Sequence, residues 1–268
     1  MSVLAPPLVS VVTPAHNAQE FLASSVHSVL RQSHENLELI ICDDGSSDST
    51  WTIISQLCET DARIKAIQHI SAKGAGAARN ACMDASRGEY IAFLDADDMW
   101  AADKLTQQLN YMNENEADFV FSHYRTFKDH LTEDNTGIVI DSHWAGKFAY
   151  GDLLWKRANL GCLTVLCKAS LINDKRMTHV KSGQDYAFWL ELLKATDKAY
   201  CFPEVTASYR VGHSSLSANK IKKIKNIFSV FRHQENYSVP YCVLLCVNYS
   251  VMTTILAMKS KLRTKIYR

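Results

Sequence analysis

The chain has 268 residues, 47% hydrophobic and 21% charged, with a formal net charge of +1. These proportions exclude wholesale disorder and leave room for one large α/β domain with an appendage, or for two small domains. The charge is uneven: residues 220–268 hold ten Lys or Arg against one acid, Glu235, leaving 19 bases against 27 acids in the first 219 residues. An acidic body with a basic tail points the tail at something anionic. The eight cysteines are scattered without a Cys-x-x-Cys pair, which argues against structural zinc and fits a reducing compartment without disulfides. No basic stretch leading into an apolar one opens the chain, so no secretory signal is expected.

In chain order, the first element is a β-rich run at 8–13, stopped by Pro14 because proline cannot continue a central ladder. Residues 19–32 carry Phe21, Leu22, Val26, Val29 and Leu30 at helical spacing. A second strand, 37–42, ends at Asp43, Asp44 and Gly45. The glycine permits a sharp turn, and Ser47 or Asp48 can cap the helix running to about residue 58. A third strand covers 64–69. Residues 72–80 are small and flexible in composition, then become a helix through residue 85. Their glycines and Lys73 suggest a phosphate loop, but the Gly-Lys-Ser/Thr of a Walker site is missing. A fourth strand, at 90–94, runs straight into Asp95, Asp97 and Asp98.

Strands alternating with helices specify a parallel sheet, whose ligands bind beyond the carboxyl ends of its strands. Thr13 with His16, Asp43 with Asp44, and Asp95 with Asp97 then share one rim. On an extended chain Asp95 and Asp97 project to one side and Asp98 to the other. Two convergent carboxylates suit a hard divalent cation that is also held by the phosphates of a nucleotide. The competing reading makes them turn and cap acids, with Asp98 or Asp103 opening a helix over 104–113.

The second half begins with a strand at 118–122, and 123–149 is irregular or short-stranded and poor in signal. An apolar run at 161–167 and a polar stretch at 173–181 precede Asp185, which opens a helix with Phe188, Trp189, Leu192 and Leu193 on one face. Asp185 is either a first-turn acid favoured by the helix dipole or a functional carboxylate. In the tail, Ile221, Ile224, Ile227, Phe228 and Phe231 share a helical face opposite Lys222, Lys223 and Arg232. Residues 241–258 are mainly apolar, broken by Asn248, Ser250, Thr253 and Thr254, and closed by bases. Three readings stand: a spanning helix, an interfacial amphipathic helix, or a helix packed on the body or in a dimer.

Several motifs carry a family resemblance. Val-Val-Thr-Pro-Ala-His-Asn at 11–17, Cys-Asp-Asp-Gly-Ser-Ser-Asp-Ser-Thr at 42–50, Ala-Arg-Asn at 78–80 and Phe-Leu-Asp-Ala-Asp-Asp-Met-Trp at 93–100 come first. Gly-Cys-Leu-Thr-Val at 161–165, Gln-Asp-Tyr-Ala-Phe-Trp-Leu at 184–190 and Tyr-Arg-Val-Gly-His-Ser-Ser-Leu-Ser at 209–217 follow. Together, over roughly residues 8–220, they resemble the family 2 inverting glycosyltransferases of the GT-A fold, especially bacterial enzymes building O-antigen, capsule or teichuronic acid chains. The resemblance implies an α/β fold with a Rossmann-like, mostly parallel sheet flanked by helices, plus a helical tail. It divides the chain into a catalytic domain at 1–219, with a nucleotide-sugar half (1–115) and an acceptor half (116–219), and a basic tail at 220–268.

The resemblance also supplies roles. Thr13, Pro14 and His16 line the uracil pocket, His16 standing where the family has Tyr or Phe. Asp44, or else Asp43, accepts from the uracil N3–H, and Arg79 approaches the base or phosphates. Asp95 contacts the ribose or a metal-bound water, and Asp97 binds Mn2+ or Mg2+, with His213 a further candidate for metal or diphosphate. Asp185 is the general base, preceded by Gln184 in place of the family's Glu, with Asp141 and Asp152 next in line. The partners implied are a UDP-sugar donor and a lipid-linked saccharide acceptor; a homodimer is compatible, and no nucleic acid is expected. The tail is expected to hold the protein peripherally at the inner face of a bacterial plasma membrane, and its deletion from 237 onward to spare turnover on a soluble acceptor. Rival readings are a sugar-phosphate nucleotidyltransferase, or a nucleotide-sugar-binding scaffold whose catalysis has lapsed.

Overall fold

The computed structural model describes residues 5–128, 136–140, 145–178, 183–211 and 220–266. Through the first half, strands and helices alternate: β1 (Val9–Ala15), α1 (Leu22–Leu30), β2 (Leu37–Asp43), α2 (Thr50–Thr60), β3 (Ile64–Gln68), α3 (Ala75–Asp84) and β4 (Tyr90–Phe93). A short β5 (Met99–Trp100) and α4 (Lys104–Glu114) complete it. Successive side chains of a strand face opposite ways. Val11, Leu39 and Ile41 therefore join Leu22, Val26 and Val29 of α1 in one core. Val12, Ile40 and Cys42 join Ala78, Cys82 and Met83 of α3 in the other. With helices on both faces, a strand is apolar at nearly every position, which explains the unbroken runs in the sequence.

β1 pairs in parallel with β2 and β4, and β2 with β3; Ala15 lies opposite Asp43, and Asp43 opposite Gln68. The strand ends are therefore level, and the polar residues that follow them stand side by side. α1 starts later than the helical spacing suggests. Asn17 has a positive φ of 50°, and the next turn is tied to the start of α2, with Gln19 N donating to Asp48 Oδ2 (3.2 Å).

The second half adds β6 (Phe119–Phe127), β7 (Thr136–Ile140), β8 (Gly146–Phe148), α5 (Tyr150–Leu154), a 3₁₀ turn (Cys162–Thr164), β9 (Leu166–Lys168), α6 (Ala169–Ile172), α7 (Gln184–Ala195) and β10 (Ala199–Arg210). The sheet runs β3-β2-β1-β4-β9-β6-β10-β5, with β7 beside β6 and β8 beside β10. β9 is antiparallel to both β4 and β6 and so joins the two halves into one sheet. The stretch poor in sequence signal thus holds the end of β6 and two short strands. β7 pairs with β6 and β8 with the distant β10; both strands are short, and in β8 Gly146 and Lys147 are exposed, so no clean period-two hydropathy marks it.

The tail comprises α8 (Lys220–Ser229), a π-helical turn (Val230–Gln234) and α9 (Val239–Ile266). Ile227 and Phe231 are fully buried, as are Cys242 and Leu245, and all four belong to the core that holds Phe188 and Trp189. Tyr186 of α7 packs edge-on against Phe231 and Tyr249. Glu235, the only acid in the tail, is buried and paired with Lys194 Nζ (2.6 Å). Deleting 237–268 would strip Cys242, Leu245, Cys246 and Tyr249 from this core. The expectation that such a truncation leaves a working body is therefore corrected: burying each such side chain is worth about 1.5–3 kcal/mol, and the sum rivals a domain's whole stability.

Candidate active site at the carboxyl rim

The rim is built on β1 and β2. At the end of β1, Thr13 is buried with no hydrogen-bond partner for its Oγ1. His16 is exposed, and its Nδ1 hydrogen-bonds the Asp44 carbonyl (2.9 Å), bracing the β1 end on the β2 end. Asp43 turns its carboxylate into the structure, accepting from Ser46 N (3.2 Å) and Gln68 Nε2 (3.3 Å). Asp44 organises the loop after β3: Oδ1 accepts from His69 Nδ1 (2.7 Å) and Lys73 N (2.9 Å), and Oδ2 from Gly74 N (2.7 Å). Burial alone would raise its pKa; the hydrogen bonds from His69, Lys73 and Gly74 outweigh that and hold it below the ordinary value. Gly45 makes this close packing possible, since at its φ of +66° a Cβ would stand 2.7 Å from Ala72 N. The loop suspected of holding phosphate thus spends two of its N–H groups on Asp44.

Arg79 of α3 is buried and paired with Asp95, and its Nε has no partner. Burial would lower its pKa, but the nearby Asp95, Cys162 and Asp185 raise it, so it stays charged. After β4 the chain does not remain extended. Asp98 N donates to Asp95 O (3.1 Å), closing a tight turn. The expected division of faces survives for another reason: Asp95 and Asp97 stay partly exposed on the rim, and Asp98 points into the body at 0% exposure. Asp98 Oδ1 accepts from Arg210 N (2.9 Å), and Arg210 Nε donates to Asp97 O (2.9 Å), pinning the turn to the end of β10. Burial and then the Asp95 charge raise the pKa of Asp97; burial and its two neighbours push Asp98 well up.

From the second half, α7 brings Asp185 in its first turn, partly exposed, behind Gly183 in a left-handed N-cap with φ of 83°. Gln184 is buried beside Gly76 of α3, where a Cβ would lie 2.9 Å from Thr178 O, so α3 and the entry to α7 meet at a glycine-only approach. Two residues show where the acids converge. Tyr209 is pushed up to about 12 by burial and by the charges of Asp98, Asp97, Asp95 and Asp185. The Cys162 thiol is raised by burial and by Asp95, Asp185 and Asp98, against the pull of Arg79. Four carboxylates from two distant stretches therefore act on one space beside Arg79.

Sequence reasoning missed Cys162, Asp98, Tyr209 and Arg210 as parts of this site. Nothing local marks them, although each falls within a motif already singled out. It also missed the brace under Cys162. Trp100 Nε1 donates to Leu163 O (2.8 Å) and Gln108 Nε2 to Thr164 O (2.8 Å), while buried Lys104 donates to Gln108 (2.6 Å) beneath the Trp100 ring. His213 and Asp141 lie outside the described residues. Asp152 sits apart at the start of α5, accepting from Ala149 N (3.0 Å).

Among the described residues no group of three or more His, Cys, Asp or Glu is arranged to hold a metal. The donor set present, Asp95 and Asp97 on a turn with Asp95 shared by Arg79, is too sparse for an all-protein cage. It suits a cation carried in by a nucleotide, because Mg2+ and its kin bind through one or two carboxylates plus substrate phosphates. The raised pKa of Asp97, caused by burial and by a like charge, is what a cation would relieve.

Residues 10–170 match the family model described as Glycosyl transferase family 2. TuaG of Bacillus subtilis (strain 168), provisionally named a teichuronic acid biosynthesis glycosyltransferase, is 39% identical over 229 residues, covering 85% of this chain and 89% of its own. WfgD of Escherichia coli, a UDP-Glc:alpha-D-GlcNAc-diphosphoundecaprenol beta-1,3-glucosyltransferase, is 37% identical over 224 residues, 83% of this chain and 85% of its own. Among solved structures, residues 1–349 of S. aureus TarS with UDP-GlcNAc superpose with a TM-score of 0.70 at 15% identity, over 89% of this chain and 70% of that one. The mannosyltransferase PcManGT of Pyrobaculum calidifontis, with GDP-Man and Mn2+, gives 0.67 at 16% identity over 93% and 70%. These likenesses show the GT-A fold.

Proposed function

Because the chain belongs to glycosyl transferase family 2, we propose that it moves a sugar from a UDP-sugar to a hydroxyl of a lipid-linked saccharide, with inversion, during assembly of a bacterial surface polysaccharide. The observation that carries the reading is the polar rim at the strand ends: Thr13 at the end of β1 and Asp44 after β2, Asp95 paired with Arg79, and Asp97 on the turn that Arg210 pins. The relatives supply the substrate classes, WfgD by its diphosphoundecaprenol acceptor and TuaG by its surface-polymer pathway.

In this reading Thr13, Pro14 and His16 border the uracil, and the unpartnered Thr13 Oγ1 is available to it. Asp44 offers the remaining capacity of Oδ2 to the uracil N3–H, with Asp43 turned away into its own hydrogen bonds. Arg79, charged and with a free Nε, faces the diphosphate, and Asp95 divides itself between Arg79 and the ribose. Asp97 and Asp95 would hold Mn2+ or Mg2+, which when bound supplies a Lewis acid that neutralises the departing diphosphate. His213 remains a candidate neighbour of that diphosphate. Asp185 takes the proton of the acceptor hydroxyl, whose oxygen attacks the anomeric carbon as the bond to UDP breaks on the opposite side. A single displacement inverts the centre. Residues 116–219 contribute the acceptor wall and 1–115 the donor pocket, while the basic tail keeps the enzyme peripheral at the inner face of the plasma membrane.

The test uses a short soluble acceptor. Asp185→Asn should keep UDP-sugar affinity and lose roughly 10²–10⁴-fold in turnover, and NMR of the wild-type product should show the β anomer from an α-linked donor. An α product, or full turnover by the variant, would remove the mechanism.

A further inference from the structure

Outside the rim, the outward side of α9 is the most prominent feature the reaction does not use. Val239, Val243, Val247 and Val251 recur every fourth residue and are 51–56% exposed, with Leu244 and Met258 also exposed. At 1.5 Å per residue, the strip from Val239 to Met258 runs about 30 Å. Residues 239–256 are long and apolar enough to cross a membrane by composition, but the helix is already committed on its other side. Cys242, Leu245, Cys246 and Tyr249 are buried in the body's core, and Asn248 Nδ2 donates to Trp155 O (2.9 Å). Crossing a bilayer would tear those groups from their partners. Lying flat disturbs none of them.

Charge identifies what covers the strip. The tail holds ten Lys or Arg, and its single acid, Glu235, is spent inside the protein on Lys194. The exposed tail therefore carries no carboxylate among the described residues. A second copy would set this basic surface against its own image, whereas an anionic lipid surface complements it. Lys259, Lys261, Arg263 and Lys265 follow the strip along the same helix. An aliphatic strip that continues into bases matches the acyl boundary and phosphates of a phospholipid layer.

We propose that α9 docks flat on an anionic lipid surface through Val239, Val243, Val247 and Val251, while its opposite side stays in the protein core. This rests on the reading of a lipid-linked acceptor, and adds to it the docking face and a mode that does not span. Other apolar residues of the tail are taken by the body: Leu245 is buried, and Ile224 and Phe228 are packed against the core.

The experiment compares the full-length protein with the triple variant V243S/V247S/V251S, whose altered side chains are outside the site. Both are sedimented with phosphatidylcholine vesicles with and without phosphatidylglycerol, and assayed on a soluble acceptor. The wild type should bind only the anionic vesicles and release in high salt. The variant should bind them about tenfold more weakly with soluble-acceptor turnover unchanged. Equal vesicle binding by both proteins would overturn the proposal. So would resistance of the wild type to both high salt and alkaline carbonate, the sign of a spanning helix. A wild-type dimer in light scattering that becomes monomeric in the variant would make a second copy the occupant instead. If neither protein turns over a soluble acceptor, the glycosyl-transfer reading fails while the vesicle result still decides the docking face.

Discussion

The proposed donor side of the rim and the proposed acceptor side are held together in different ways. Asp43, Asp44 and Asp95 stand at the ends of β2 and β4, the two parallel strands that flank β1. Asp185 has no such support. It sits in the first turn of α7, and that turn is gripped by the tail: Ile227 lies against the Gly183 N-cap, Gln234 Nε2 donates to Ala187 O (3.0 Å), and Phe231 packs on Tyr186. The proposed donor pocket is thus set by a sheet, and the candidate base by a helical strap from the far end of the sequence. Damage to the tail should therefore reach chemistry, and damage to the sheet should reach binding and stability.

The largest expected effect is on the strap. Removal of 237–268 should abolish the cooperative thermal transition seen by circular dichroism, and all turnover with it; a truncated protein with a wild-type melt would show the two regions to be independent. Next, Asp97→Ala should eliminate Mn2+-dependent UDP binding in calorimetry while the fold is retained, and unchanged affinity would take Asp97 out of the metal role. Gln234→Ala sharpens the comparison most directly. It should lower kcat about tenfold, as small misplacements of a reacting group do, with the KM for the UDP-sugar unchanged. An unchanged kcat would mean that the strap supports the fold and not the base.

The smallest effect belongs to the sheet. Glu38 is buried, accepting from Ser10 Oγ (2.6 Å), Lys65 Nζ (2.6 Å) and Arg87 N (2.7 Å). Burial would raise its pKa, but those partners lower it from 4.5 to about 2. A depressed carboxylate stabilises the fold above its unfolded pKa and loses that contribution as pH falls through the folded one. Glu38→Gln should thus cost about 2 kcal/mol at neutral pH, with the wild-type and variant melting curves converging as pH falls from 4.5 toward 2. Catalysis at neutral pH should not change.

Legibility in the sequence follows the same division. The strand–helix alternation and the polar strand ends are local signals, and they yielded the parallel half of the sheet and Thr13, Asp44, Asp95 and Asp97 on one rim. Whether Asp95 to Asp98 was extended or turned was not readable, because the turn is pinned by Arg210, 112 residues downstream of Asp98. For 123–149 the sequence left irregular and short-stranded readings open, because strands as short as β7 and β8 carry little periodicity. In the tail, spacing gave helices and one apolar face, but α9 is apolar on two. Which face the body takes is decided by Tyr186, Trp155 and their neighbours, and no window on the tail contains them.

The turn at Asp95–Asp98 has a practical consequence for anyone wishing to redirect this enzyme to another sugar. Its carboxylates and main chain are committed on several fronts at once: Arg79 on Asp95, the Asp98 N–H on the Asp95 carbonyl, and Arg210 on both Asp97 and Asp98. Inserting or deleting a single residue within the turn would disturb all of these together. A mutant library should leave Arg79, Asp95 to Asp98 and Arg210 invariant and vary single side chains elsewhere without changing the length of the turn.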